Sequence, residues 1–141
     1  CVQDDVNLLN VSLLDKKIKK LYERSPLASG LLGGKVNQNT VFKKSDHRSE
    51  WLKGTRLQSI LKRVSVLKKQ FPNVKIIDLA QRFLLHNSKI HKVIFGVKKV
   101  SHLDKLFQLK GSTPLSKIEE KNIFNLNKND FGLENEKHLN Y

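Results

Sequence analysis

Two stretches of this chain carry residue types and spacings that could do chemistry. The first, "ERSPLASGLLGGK" (Glu23 to Lys35), concentrates glycine, serine, alanine and proline. Small residues in tight turns let backbone N–H groups approach an anion, and they equally let a turn pack closely on a neighbour. The stretch is not the Gly-x4-Gly-Lys-Ser/Thr nucleotide loop: Ser29 stands where the first glycine is needed and Val36 where a hydroxyl is needed. Nor does the dinucleotide fingerprint Gly-x-Gly-x-x-Gly occur. The second stretch, "IFGVKKVSH" (Ile94 to His102), reads as a strand ending at Gly96, then Lys98 and Lys99, then a helix starting near Ser101. In parallel α/β folds the C-terminal strand ends form the ligand face, and a helix start beside lysines can take an anion. The alternative is a solvated loop whose lysines face water.

Other reactive groups assemble less well. The five histidines (His47, His86, His91, His102, His138) lack metal-ligand spacing, and the single Cys1 leaves neither an intrachain disulfide nor a cysteine metal site. Asp46-His47-Arg48 is a charged cluster, either a salt-linked lid element or simply exposed. Asp4 and Asp5 follow a short apolar start and could be catalytic by position alone. No Ser/His/Asp set can be built.

The elements that must position these residues follow from periodicity. Leu9, Leu13, Leu14, Ile18 and Leu21 have helical spacing, with a short strand expected just before Ser25 and another around Val2. The segment from Gly33 to Thr55 has no period and reads as a long loop. From Arg56 to Phe71 an apolar stripe (Leu57, Ile60, Leu61, Val64, Leu67, Phe71) opposes Lys62, Arg63, Lys68 and Lys69, and Pro72-Asn73 ends that helix. A second helix carries Ile76, Ile77, Leu79, Ala80, Phe83 and Leu84 inward. "HKVIFGV" predicts a buried strand. Ser101 is expected to cap the next helix, and Ser116 with Glu119 forms a capping-box pattern for the last. Residues 127–141 read as a polar tail. Helices alternating with strands indicate an α/β protein with parallel strands, yet three strands cannot close a sheet, so the chain looks like part of a fold.

Composition bounds the partners. The 141 residues carry a net charge of +14, 28% charged and 38% hydrophobic residues, with a mean hydropathy of -0.45. One small domain, or part of a larger one, is expected. A basic balance raises nucleic acid as a partner. The lysines, however, are spread along the whole length and asparagine is frequent, which fits a general compositional bias and makes a nucleic-acid module the weaker reading. No apolar run approaches the roughly 18 residues of a membrane span, and the start lacks a signal-peptide pattern. A reducing, cytoplasmic setting is expected, and a start at Cys rather than Met suggests an incomplete chain.

Taken together, "RSPLASGLLGGK", then "DHR", then "LAQRFLLHNSKIHKVIFGVKKVSHLDK" resembles the C-terminal part of an aldo-keto reductase. The resemblance runs from Val2 to about Leu126 and implies a partial TIM (β/α)8 barrel. Roughly the last three βα units plus a C-terminal helix would lie in residues 1–126. It implies NADP(H) as cofactor and a small carbonyl compound as substrate, both in the context of the full-length protein. Carried over by position, Gln3 would hydrogen-bond the nicotinamide carboxamide and Arg24 would pack on the nicotinamide face. Ser25, Pro26, Leu27, Ser29 and Gly30 would wrap the pyrophosphate. Lys35 and Arg48 would close over the cofactor, Gly96 and Lys98 would hold a 2′-phosphate, and His102 would reach the adenosine. Leu106 and Lys105 depart from the asparagine and acidic residue usual at their positions. The family's catalytic Asp, Tyr, Lys and His precede the matched part, so no catalytic residue is expected in the chain as given. A complete barrel needs about 250 residues. A non-catalytic, cofactor-binding or regulatory relic of the family is the alternative.

Overall fold

The structure, a computed structural model, describes residues 20–109 and 111–133. The expected N-terminal strand and helix, Gln3, Asp4 and Asp5 lie outside the described residues, as do residues 134–141.

Strand β1 (Tyr22–Arg24) and strand β2 (Lys92–Ile94) pair in parallel, with Tyr22 opposite Lys92, Glu23 opposite Val93 and Arg24 opposite Ile94. The His91 N–H extends the ladder by donating to the Leu21 carbonyl at 2.8 Å. Parallel neighbours need a crossover. Here it comprises a 3-10 turn (Ala28–Gly33), α1 (Arg48–Trp51), α2 (Gly54–Gln70) and α3 (Ile76–Leu85). After β2 come α4 (Val100–Leu109), α5 (Lys117–Lys128) and a final 3-10 turn (Asp130–Gly132).

The apolar stripe of α2 is the spine of the core. Leu57, Ile60, Val64 and Leu67 are all buried, while Lys62, Lys68 and Lys69 face water. Leu31, Leu52, Ile76, Leu79, Leu115 and Phe131 close around that stripe. The helix stops where the Phe71 N–H returns to the Leu67 carbonyl and Pro72 follows, since proline cannot continue the ladder. At the start of α5 the expected capping box is present. The Ser116 hydroxyl accepts from the Glu119 N–H at 3.2 Å, and the Glu119 carboxylate accepts from the Ser116 N–H at 2.7 Å. Those bonds to Ser116 hold the Glu119 carboxyl below its ordinary value, with a smaller contribution from Arg82.

Several expectations are corrected. β2 is not a buried strand: Val93 is half-buried, but Lys92 and Ile94 are exposed, as is Tyr22 on β1. α3 packs against β2, yet no described element covers the face bearing Tyr22, Arg24 and Ile94. A parallel sheet normally needs cover on both faces. α4 begins at Val100, so Ser101 lies inside its first turn and is not its cap. The long loop contains α1 and an Asx turn in which Asn37 Oδ1 accepts the Asn39 N–H. The segment after Leu126 continues α5 and turns back: Phe131 is buried, and Asp130 accepts from Arg63 Nε and Nη2, both at 2.9 Å. A polar sequence there conceals one buried aromatic and one long-range ion pair.

Candidate functional site

β1 runs directly into the small-residue stretch, whose backbone is held in an unusual form. Ser25 (φ 57), Ala28 (φ 48), Ser29 (φ 54) and Gly30 (φ 93) all lie in the left-handed region. Each non-glycine there costs on the order of 1 kcal/mol, so the conformation persists only because its surroundings impose it. Three bonds fold the loop on itself: Ala28 N–H to Ser25 carbonyl (2.8 Å), Gly30 N–H to Leu27 carbonyl (2.9 Å) and Leu32 N–H to Leu27 carbonyl (3.1 Å). Buried Ala28 and Leu31 anchor it against α2 and α3. Those bonds commit the Ala28, Gly30 and Leu32 N–H groups within the loop. The Ser25 and Ser29 hydroxyls make no hydrogen bond among the described residues.

A clasp from the long loop holds this turn. Arg48 donates from Nη1 to the Ser29 carbonyl at 2.9 Å, and from Nε and Nη2 to the two Asp46 oxygens at 2.9 and 2.6 Å. Its backbone N–H also donates to Asp46 Oδ1 at 3.0 Å. The guanidinium lies over the Phe42 ring, 4.3 Å from its centre. The Arg48 fork holds the Asp46 carboxyl well below the usual carboxylate range, and Asp46 in turn raises the guanidinium. Charge on the pair therefore persists at every pH at which carboxylates are normally ionised. A Cβ at Gly30 would come within 3.2 Å of Arg48 Nη1, so the glycine gives the guanidinium its room.

The second stretch leaves the sheet at the same edge. Because Arg24 sits opposite Ile94 in parallel register, the chain leaves both strands at the same end of the sheet, at Ser25 and Phe95. Gly96, Lys98 and Lys99 are exposed, and His102 is exposed in the first turn of α4. Nothing lies within 4 Å of a Cβ built on Gly96, so no described residue needs that glycine's smallness. Arg24 is exposed at the end of β1 and Lys35 just beyond the loop. Neither of these, nor Lys98 or Lys99, makes an ion pair among the described residues.

A cleft of about 760 Å³ opens at β1 and the small-residue loop and runs past Trp51 to Phe83 and Phe124. Trp51 carries the Arg56 guanidinium 4.9 Å above its ring, with His47 6.5 Å away on a tilted ring. Arg24, Ser25, Pro26 and Ser29 line this cleft, Leu27 and Gly30 belong to the same loop, and Arg48 reaches that loop through the Ser29 carbonyl. Gly96, Lys98 and His102 share their edge without a hydrogen bond to them among the described residues. Sequence reasoning missed Phe42, Trp51 and Arg56. Only the Asp-x-Arg spacing at Asp46 and Arg48 signalled this region.

The Aldo/keto reductase family profile matches residues 8–128. The chain belongs to the aldo/keto reductase family. Among solved structures this aldo/keto reductase is similar to the glycerol dehydrogenase of Gluconobacter oxydans, with a TM-score of 0.70 at 18% identity. The match covers 97% of this chain and 41% of that one. At that identity the likeness concerns the fold: two parallel strands with helices between and after them are part of a TIM barrel. No curated protein matches the chain. Among the described residues of this aldo/keto reductase, no helix is long and apolar enough to cross a membrane. No group of three or more His, Cys, Asp or Glu among them could hold a metal ion.

Proposed function

We propose that the chain is the C-terminal portion of an NADP(H)-dependent aldo/keto reductase. It would supply the phosphate-binding half of the cofactor site for hydride transfer between NADPH and a small carbonyl substrate. One observation carries this reading: the parallel register of β1 and β2 brings the small-residue loop and the Gly96–Lys99 loop to one sheet edge.

The residues fit such a nucleotide. A pyrophosphate needs hydrogen-bond donors that are not otherwise engaged, and the Ser25 and Ser29 hydroxyls make no hydrogen bond among the described residues. A 2′-phosphate needs cations without competing carboxylates, and Lys98 and Lys99 are exposed and make no ion pair among the described residues. Arg24, exposed on the side of β1 that faces away from Glu23, would lie against the nicotinamide ring. Lys35, beyond the loop, would close on the pyrophosphate from outside. When bound, the nicotinamide supplies the hydride. This chain's residues bind and orient the nucleotide and are assigned no proton transfer.

Trp51, the single tryptophan, lines the cleft and makes binding observable by fluorescence. Titration should show tighter binding of NADPH than of NADH, and Lys98→Ala should shrink that preference about tenfold. Equal affinities for the two nucleotides before and after the substitution would remove Lys98 from the 2′-phosphate site.

A further inference from the structure

The contacts of Arg48 point to a task other than supplying charge. A guanidinium has five N–H donors in a fixed fork. In this chain three of them are committed, two to Asp46 and one to the Ser29 carbonyl, and the plane rests on Phe42. Asp46 also accepts the backbone N–H of Arg48, so the carboxylate sets where the fork can point. The fork then reaches across nineteen residues to grip the backbone between two left-handed residues, Ser29 and Gly30. Gly30 has a conformation and a clearance that match the guanidinium, since a side chain there would press on Nη1 at 3.2 Å.

We infer that Asp46 is a positioning residue, acting through Arg48 to hold Ser29 and Gly30 in the backbone conformation that presents the loop to a phosphate. The inference rests on the reading of that loop as a pyrophosphate cradle. It also separates two roles that a basic residue near a phosphate could have. As a direct ligand, Arg48 would act through its positive charge, which lysine keeps. As a clasp, it acts through the fork, which lysine lacks. Asp46 separates them further by sign. Removing a negative charge beside a phosphate site should tighten nucleotide binding on Coulomb grounds. Removing the anchor of the clasp should weaken it.

Hydrogen exchange on the full chain without nucleotide tests the clasp. The reporters are the Ala28, Gly30 and Leu32 N–H groups, whose acceptors all lie within the loop, and the buried turns of α2 serve as the internal reference. In Asp46→Asn and in Arg48→Lys the loop amides should exchange about tenfold faster or more relative to α2. The double variant should be no faster than the faster single one, because both substitutions break one device. In NADPH titrations Asp46→Asn should bind about tenfold more weakly than wild type. Wild-type loop exchange in both variants, additive effects in the double variant, or NADPH binding by Asp46→Asn that is unchanged or tighter would each overturn the inference. A loop that loosens as expected in a chain that binds no NADPH even as wild type would keep the clasp and refute the cofactor reading. Unchanged exchange alongside normal NADPH preference would do the reverse.

Discussion

At the end of β1 the chain builds its loop from the inside: Ala28 and Leu31 are buried against α2 and α3, and Arg48, Asp46 and Phe42 clamp the turn from outside. At the end of β2, one strand away, Gly96, Val97, Lys98 and Lys99 are all exposed, and α4 beyond them buries no residue completely. Instead α4 shows water a stripe of Val100 (75% exposed), Leu103 (41%) and Phe107 (72%) at i, i+3 and i+7. That spacing is how a helix prepares a face for packing. The two ends of one parallel pair therefore differ in completeness. The first is packed from within and clasped from outside. The second carries its apolar face on the outside, as does the side of the sheet bearing Tyr22 and Ile94.

The largest expected effect tests the formed end. Leu31 is 1% exposed and ties the left-handed loop to the core. Leu31→Ala should cost about 3 kcal/mol in urea denaturation, within the range for buried leucines. A loss under about 1 kcal/mol would mean that the loop is not anchored by packing, and the contrast with β2 would collapse.

At the open end the expectation is the opposite. Phe107→Ser removes a large apolar side chain that is 72% exposed, so stability should change by less than about 0.5 kcal/mol. Self-association, read by light scattering, should fall as the patch shrinks. A destabilisation near that of Leu31→Ala would show that α4 is packed as firmly as α2.

This contrast also explains what was legible in the sequence. The α2 stripe and the Ser116–Glu119 box are local patterns, read from spacings of three and four residues, and both appear in the fold. The two loop stretches that leave β1 and β2 were legible for the same reason, since each is contiguous. Their convergence followed only once β1 and β2 were paired. Arg48 was legible as a cation but not as a clasp, because its acceptors are Asp46, two residues back, and the Ser29 carbonyl, nineteen back. Asp130 was read as tail because its partner Arg63 is 67 residues away. β2 was expected to be buried because valine and isoleucine favour covered strands, but burial depends on neighbours that periodicity cannot supply.

The smallest effect sharpens the comparison within the sheet itself. Glu23 lies at the centre of β1 and shares a face with Val93, the covered side, opposite to Tyr22 and Arg24. It is half-buried, has no ion pair among the described residues, and burial pushes its carboxyl above the ordinary glutamate value. A raised value means that the folded chain holds this proton more tightly than the unfolded one. Its contribution is therefore most favourable below the unfolded value and is lost as pH rises through the folded value. At neutral pH the charged carboxylate opposes folding. Glu23→Gln keeps the shape and removes the charge, so the variant should melt slightly higher than wild type near pH 7. The difference should vanish near or below about pH 4, where glutamate is largely protonated in both states. A Tm difference independent of pH, or a less stable variant at pH 7, would show that the covered side of β1 holds this carboxylate by interaction. The sheet would then be built around a charge on the face where Val93 indicates an apolar layer.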